Sequence, residues 1–189
     1  MTERPMIIVC ITGMPGAGKS TAAQGLVAKG WKLTVMGDVI REETKRRGLE
    51  PDEKNTGEVM KMLRKQHGEA AVAELCMKTM AEAGSDLVVV DGVRSMAEME
   101  TFRKTAKALL IAVHASPERR YALLKERRRK DDPLSYETFL KRDERELEIG
   151  IGRAIALADE VVSNQRSTPD SLAAQVLAIV ESWTKSIGK

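Results

Sequence analysis

The sequence predicts an α/β fold, a parallel sheet covered by helices on both faces, and three observations carry that reading. Short continuous apolar runs recur along the 189 residues, segments of helical spacing separate them, and a glycine-rich turn joins the first run to the first helix. Strands that alternate with helices imply right-handed crossovers within one parallel sheet.

In order, Met6 to Thr12 is an apolar run ending at Gly13, as suits a strand buried on both faces. A helix over 19–29 follows, and Lys32 to Met36 is the second strand. Helices over 38–48 and 57–83 separate it from the third, Leu87 to Val90. A helix over 95–106 leads to the fourth, Leu109 to Val113. Helices over 117–130 and 135–158 precede the weaker run Val161-Val162-Ser163, and a helix over 169–186 closes the pattern. Two intervals exceed what a simple crossover needs: Gly37 to Ser85, read as two helices, and the charge-dense Arg127 to Glu148, which Asp131-Asp132-Pro133 breaks near its start.

Composition narrows the function classes. Thirty-one basic against 28 acidic residues leave a formal charge of +3, a mixed surface rather than a polycationic face, and 3% aromatic residues argue against a base-stacking platform, so there is no strong nucleic-acid signal. Cys10 and Cys76 show neither metal-ligand spacing nor a disulfide framework. No run approaches the roughly 18 apolar residues of a membrane span, and the first residues lack the apolar region of a secretory signal. The expectation is one compact cytoplasmic domain, its oligomeric state unspecified.

Gly13-Met14-Pro15-Gly16-Ala17-Gly18-Lys19-Ser20, followed by Thr21, matches G-x-x-x-x-G-K-[ST] between a strand and a helix. Glycines let backbone N–H groups curl around an anion, and the helix adds its positive end. Lys19 then reaches the β- and γ-phosphates of ATP, and the Ser20 hydroxyl suits Mg²⁺, which needs hard oxygen ligands. A glycine-rich turn with no ligand would not demand a lysine followed by a hydroxyl. Asp91, at the carboxyl end of the third strand, is the second candidate for the magnesium site.

With these residues placed, Gly37-Asp38-Val39-Ile40-Arg41 resembles the Gly-Asp-x-x-Arg motif that opens the monophosphate-binding helices of adenylate kinases. Asp91-Gly92-Val93-Arg94 is similar to their Asp-Gly-x-x-Arg with the arginine one residue early, and Arg129-Lys130-Asp131-Asp132 resembles a lid segment. Met36 stands where those enzymes have threonine, and Arg142 falls about two places later than in their lid. Ala158 to Asn164 looks more like dephospho-coenzyme A kinase. The whole chain resembles an archaeal group of adenylate-kinase-related P-loop proteins of unsettled substrate. That resemblance implies a P-loop fold of the nucleoside monophosphate kinase type with sheet order 2-3-1-4-5, a substrate-binding insert at about 38–83 and a lid at about 129–146.

Phosphoryl transfer rests on positioning and on neutralising charge, for which arginines supply forked donors. Arg41, Arg94, Arg127, Arg128, Arg129, Arg142 and Arg145 form the pool, from which Arg41 and Arg94 stand out by motif and Arg128, Arg129 and Arg142 by the lid. Asp38 serves either as a base for a hydroxyl acceptor or to orient Arg41 and cap the helix beginning at Val39. The stripe Val59, Met60, Met62, Leu63, Ala70, Ala73, Met77 and Met80 reads as core packing ahead of a wall for a flat base, and His67 and His114 read as structural. The expected function is an ATP- and Mg²⁺-dependent kinase whose small-molecule acceptor is a nucleotide, foremost a nucleoside monophosphate. A dephospho-coenzyme A-type hydroxyl kinase and a regulatory ATPase or nucleotide-dependent switch are the alternatives.

Overall fold

The computed structural model describes residues 6–127 and 135–188. Strand β1 (Ile7–Thr12) is buried from Ile8 onward, as an apolar run inside a parallel sheet requires. The glycine turn leads into α1 (Lys19–Val27), and the chain returns as β2 (Lys32–Val35). Helices α2 (Met36–Arg46), α3 (Glu53–His67) and α4 (Ala71–Ala83) precede β3 (Leu87–Asp91). Then come α5 (Met96–Thr105), β4 (Lys107–His114) and α6 (Pro117–Arg127). Helices α7 (Tyr136–Ile149) and α8 (Ile151–Ala156), strand β5 (Glu160–Ser163) and α9 (Pro169–Ile187) follow.

The five described strands pair in parallel in the order β2-β3-β1-β4-β5, which is the order the resemblance implies. β1 lies at the centre, with Ile7 opposite Leu87 on one side and Lys107 on the other. The chain therefore leaves β1 in opposite directions, and the carboxyl ends of β1, β3 and β4 frame the crevice where open α/β sheets place their ligands.

Alternation along β1 feeds two cores. Ile8 and Cys10 pack with residues of α2 to α5, among them Met80, Met99 and Phe102. Val9 and Ile11 pack with α1 and α9, through Leu26, Leu172 and Val176. Of the expected stripe, Val59, Leu63, Ala73 and Met80 are buried and Met60, Met62 and Met77 pack against the first core, so its role here is packing. His67 and His114 are exposed at element ends. Cys10 and Cys76 are buried free thiols, and burial pushes the Cys76 thiol up to about 12. Among the described residues no helix is long and apolar enough to cross a membrane.

Two helices expected to be continuous are broken, both at glycines with positive φ. The 57–83 segment divides at Gly68 (φ 86°), so the excursion between β2 and β3 holds three helices rather than two. The 135–158 segment divides at Gly150 (φ 106°), which ends α7 and opens α8. A left-handed residue cannot continue an α-helix, and periodicity alone hides the break because the apolar positions resume in phase. Met36 starts α2 instead of ending β2, its side chain turned into the core. Residues 128–130 of the expected 117–130 helix, and the break at Asp131-Asp132-Pro133, lie outside the described residues.

The turn between β3 and α5 is fixed by a capping box. The Ser95 hydroxyl accepts from the Glu98 amide at 3.2 Å, and the buried Glu98 carboxylate accepts from the amides of Ser95 (3.2 Å) and Arg94 (2.8 Å) and from Arg64 Nη2 (2.9 Å). Residues 91–94 are thereby held between a central strand and a capped helix.

Phe102 is fully buried in the first core, whereas Leu49 is 43% exposed. Phe102→Ala is expected to cost about 3–5 kcal/mol of unfolding free energy in urea titration. Leu49→Ala should stay within about 0.5 kcal/mol. Equal urea midpoints for the two variants would contradict this placement of the core.

Candidate functional site

The glycine turn is shaped by contacts that leave no room for a side chain. Gly13 has φ 144°, and a Cβ there would lie 2.3 Å from the Val113 carbonyl oxygen; Gly18 has φ 104°, and its Cβ would lie 2.4 Å from Asn164 Nδ2. Asn164, buried just after β5, donates from Nδ2 to the Ala17 carbonyl at 2.9 Å. No side chain caps α1 and no acidic residue occupies its first turn, so the helix keeps its positive end for an anion. That arrangement suits a phosphate group.

Lys19 Nζ donates to the carbonyls of Gly13 (2.7 Å) and Met14 (3.3 Å), spanning the turn. Burial lowers its pKa to about 8, against the opposing pull of the Asp91 carboxylate. Ser20 Oγ donates to Asp91 Oδ2 at 2.9 Å, which brings the hydroxyl that follows the lysine and the carboxylate at the end of β3 into one polar pair. Two hard oxygen donors at the mouth of a phosphate-sized turn fit a Mg²⁺ ion that keeps most of its waters.

A cleft of about 530 Å³ opens from this turn. It is lined by Gly13, Pro15, Gly16, Gly18, Lys19, Ser20 and Thr21 of the turn and the start of α1, and by Asp91, Arg41, Arg94 and Arg142. Of the remaining motif residues, Met14 contributes its carbonyl to Lys19 and Ala17 its carbonyl to Asn164. Asp38 does not line the cleft. Its Oδ1 accepts from Arg41 Nε at 3.0 Å and from Nη2, so it holds an arginine that does line the cleft. Arg94 Nε donates to Glu146 Oε2 at 2.7 Å. Burial works against the Arg94 charge, but Glu146, through charge and hydrogen bond, outweighs it and holds the guanidinium pKa above its usual value. Arg128 and Arg129 lie outside the described residues.

Several cleft residues were not singled out from the sequence. Arg119 and Leu123 of α6 reach the wall, as do Glu146, Ile151 and Asn164, while Arg127, one of the arginine pool, lines it too. Asn164 carried a usable signal, a polar residue at the carboxyl end of a strand. Glu146 carried none, since in a run of alternating charge it reads as solvated surface. Arg120 is buried, and Arg120 Nη1 donates to the Pro15 carbonyl at 3.0 Å and to Asp143 Oδ1 at 2.8 Å. No feature of the residue pattern marks Arg120 as the arginine that turns inward on Asp143.

Asn164→Ala removes the donor to a buried carbonyl of the turn. It should cost about 1–3 kcal/mol in urea unfolding, because Ala17 is left unpaired. An unchanged midpoint would show that the bond carries no weight in holding the turn.

Comparisons with known proteins bear on the family and the fold. A family model described as an AAA domain matches residues 12–139. A UPF0200 protein of Methanocaldococcus jannaschii is 47% identical over 171 residues, spanning 88% of this chain and 86% of its own. Among solved structures, a Thermus thermophilus protein superposes with a TM-score of 0.65 at 21% identity, covering 94% of this chain and 98% of its own. A shikimate kinase from Bacteroides thetaiotaomicron superposes with a TM-score of 0.59 at 18% identity, covering 93% and 99%. At those identities the structural likeness shows the fold alone, that of the P-loop kinases. With an AAA-domain match over more than half its length and an archaeal relative aligned across most of both chains, this chain belongs to the UPF0200 family of proteins with a kinase-like P-loop fold.

Proposed function

We propose that the protein is an ATP-dependent phosphotransferase that moves the γ-phosphoryl group of ATP to a small-molecule acceptor, a nucleoside monophosphate. The observation that carries this reading is the single cleft in which Lys19, Ser20 and Asp91 face Arg41, Arg94 and Arg142. The cleft holds both donors for a triphosphate and forked cations for a second anion, and an in-line transfer needs both within one enclosure. The bond from γ-phosphorus to the bridging oxygen breaks, a bond to the acceptor oxygen forms, and ADP leaves. Mg²⁺, when bound, would neutralise charge on the β- and γ-phosphates, with Ser20 and Asp91 as the residues to hold it.

In this reading the chain is one domain acting in the cytoplasm, α2 to α4 are the acceptor-binding insert, and residues from about 129 to 146 are a lid that excludes water during transfer. The likeness of the Gly-Asp-x-x-Arg and Asp-Gly-x-Arg segments to adenylate kinases supports the nucleotide acceptor. One observation favours a second reading, a hydroxyl acceptor: Arg41 and Arg94 each already hold a carboxylate, Asp38 and Glu146, which leaves less net positive charge for a phosphate.

The test is incubation with Mg·ATP carrying a labelled γ-phosphate and a panel of nucleoside monophosphates, dephospho-coenzyme A and small alcohols. Labelled nucleoside diphosphate forming faster than free phosphate is the expected result. Label on a hydroxyl acceptor would replace the nucleotide reading, and free phosphate alone would replace the kinase with a regulatory ATPase or switch.

Two predictions follow from the side chains. Lys19 titrates near pH 8 in the folded protein, and a bound triphosphate raises its pKa, so binding above pH 8 takes up a proton. ATP affinity should be level below about pH 8 and fall up to about tenfold per pH unit above it. Calorimetry in buffers of different ionisation enthalpy reads the proton directly, and an affinity flat through pH 9.5 would contradict the assignment. Asp38→Asn keeps the shape beside Arg41 and removes a base. With a phosphate acceptor, turnover should stay within about tenfold of the parent, whereas a loss of about 10³-fold at unchanged acceptor affinity would mark Asp38 as the base for a hydroxyl.

A further inference from the structure

Arg120 is the best-buried cation of the described chain, 3% exposed, and it is absent from the cleft wall. Its guanidinium makes a fork to both oxygens of Asp143 on α7 and adds a bond from Nη1 to the Pro15 carbonyl, inside the glycine turn. Phe139, also on α7, lies under the same group with its ring centroid 4.9 Å from Cζ. Helix α6 itself rests on the turn: a Cβ on Gly16 would lie 2.7 Å from the Arg120 carbonyl oxygen and 2.8 Å from Leu124 Cγ.

Asp143 immediately follows Arg142, which lines the cleft, and sits three residues before Glu146, which holds Arg94 at the cleft wall. Arg94 in turn is three residues beyond Asp91, the acceptor of the Ser20 hydroxyl. Polar contacts joined by short stretches of backbone therefore run from Pro15 through Arg120 and Asp143, along α7 to Glu146 and Arg94, and by way of Asp91 back to Ser20 of α1.

We propose that Arg120 is a positioning residue that couples the phosphate turn to α7, so that a nucleotide seated in the turn sets the placement of Arg142 and Glu146 at the acceptor end. Stability is a poor reason for such a pair, since a buried ion pair replaced by apolar groups of similar volume is often neutral or more stable. Direction is a better one. A planar fork fixes the angle between two elements, and here its third bond reaches the backbone that a phosphate would touch. The inference rests on the ATP-site reading, but it concerns how that site communicates with the other end of the cleft.

The test is hydrogen exchange of the full chain with and without a saturating Mg²⁺ complex of the non-hydrolysable imido analogue of ATP. In the parent, the analogue should protect residues 13–20 and also slow exchange across Tyr136–Ile149 by about fivefold or more, the range of ordinary site-to-site coupling. In the double variant Arg120→Met with Asp143→Leu, protection of 13–20 should persist and the response of Tyr136–Ile149 should be lost, at a thermal midpoint near the parent's. A response in α7 equal to the parent's would overturn the coupling, as would a parent whose α7 ignores the analogue while 13–20 are protected. If 13–20 are unprotected in the parent, the ATP-site reading itself fails and the coupling with it. Should the double variant not fold or not protect its turn, Arg120→Lys decides: a point charge cannot hold the fork, so an α7 response undiminished from the parent's overturns the proposal.

Discussion

The backbone of the phosphate turn is the constraint on which the rest of the structure depends. Three of its glycines have positive φ, and a methyl group at each would collide with a different element: with Val113 of β4 at Gly13, with Arg120 and Leu124 of α6 at Gly16, and with Asn164 and Leu172 at Gly18. A turn this tightly enclosed forces β4, α6 and the segment after β5 to converge on one point. The sheet order does the converging, because β1 at its centre places β3 and β4 on either side of the turn. The start of α1, uncapped by any side chain, lines the cleft and offers an anion fixed dipoles, which is what preorganised electrostatic binding requires.

Two arginines of the cleft are held in ion pairs. Arg94 meets Glu146 and Arg41 meets Asp38, so an anion that binds either arginine must exchange partners with a carboxylate. The exchange costs little at Arg41 and Asp38, both about half exposed and solvent-screened. It costs more at Arg94, where less water is present to compensate and the pair is better buried. An anion displacing these carboxylates therefore meets a larger cost at Arg94 than at Arg41.

Much of this was legible in the sequence, for physical reasons. A strand buried on both faces needs an unbroken apolar run, and β1, β3 and β4 all show one. A phosphate turn needs glycines at set places, and the segment from Gly13 to Ser20 states them. The breaks at Gly68 and Gly150 were hidden because apolar spacing continues across them, and a helical pattern does not reveal the sign of φ. Arg120 and Glu146 were hidden for another reason: both lie in charge-rich helices where an exposed face is the ordinary outcome, and only tertiary partners, Asp143 for Arg120 and Arg94 for Glu146, turn them inward. Asp38 was legible as a partner of Arg41, whereas its role toward an acceptor depends on chemistry the acceptor brings.

The most direct test of the account is calorimetric titration of Mg·ATP into the parent and into Lys19→Ala, with circular dichroism to confirm that the variant is folded. The account predicts that the parent binds ATP and that the folded variant binds it at least about tenfold more weakly, the worth of a charge-assisted hydrogen bond to phosphate. A folded Lys19→Ala protein with the parent's affinity would contradict it, because the turn would then not be the place where the triphosphate is held.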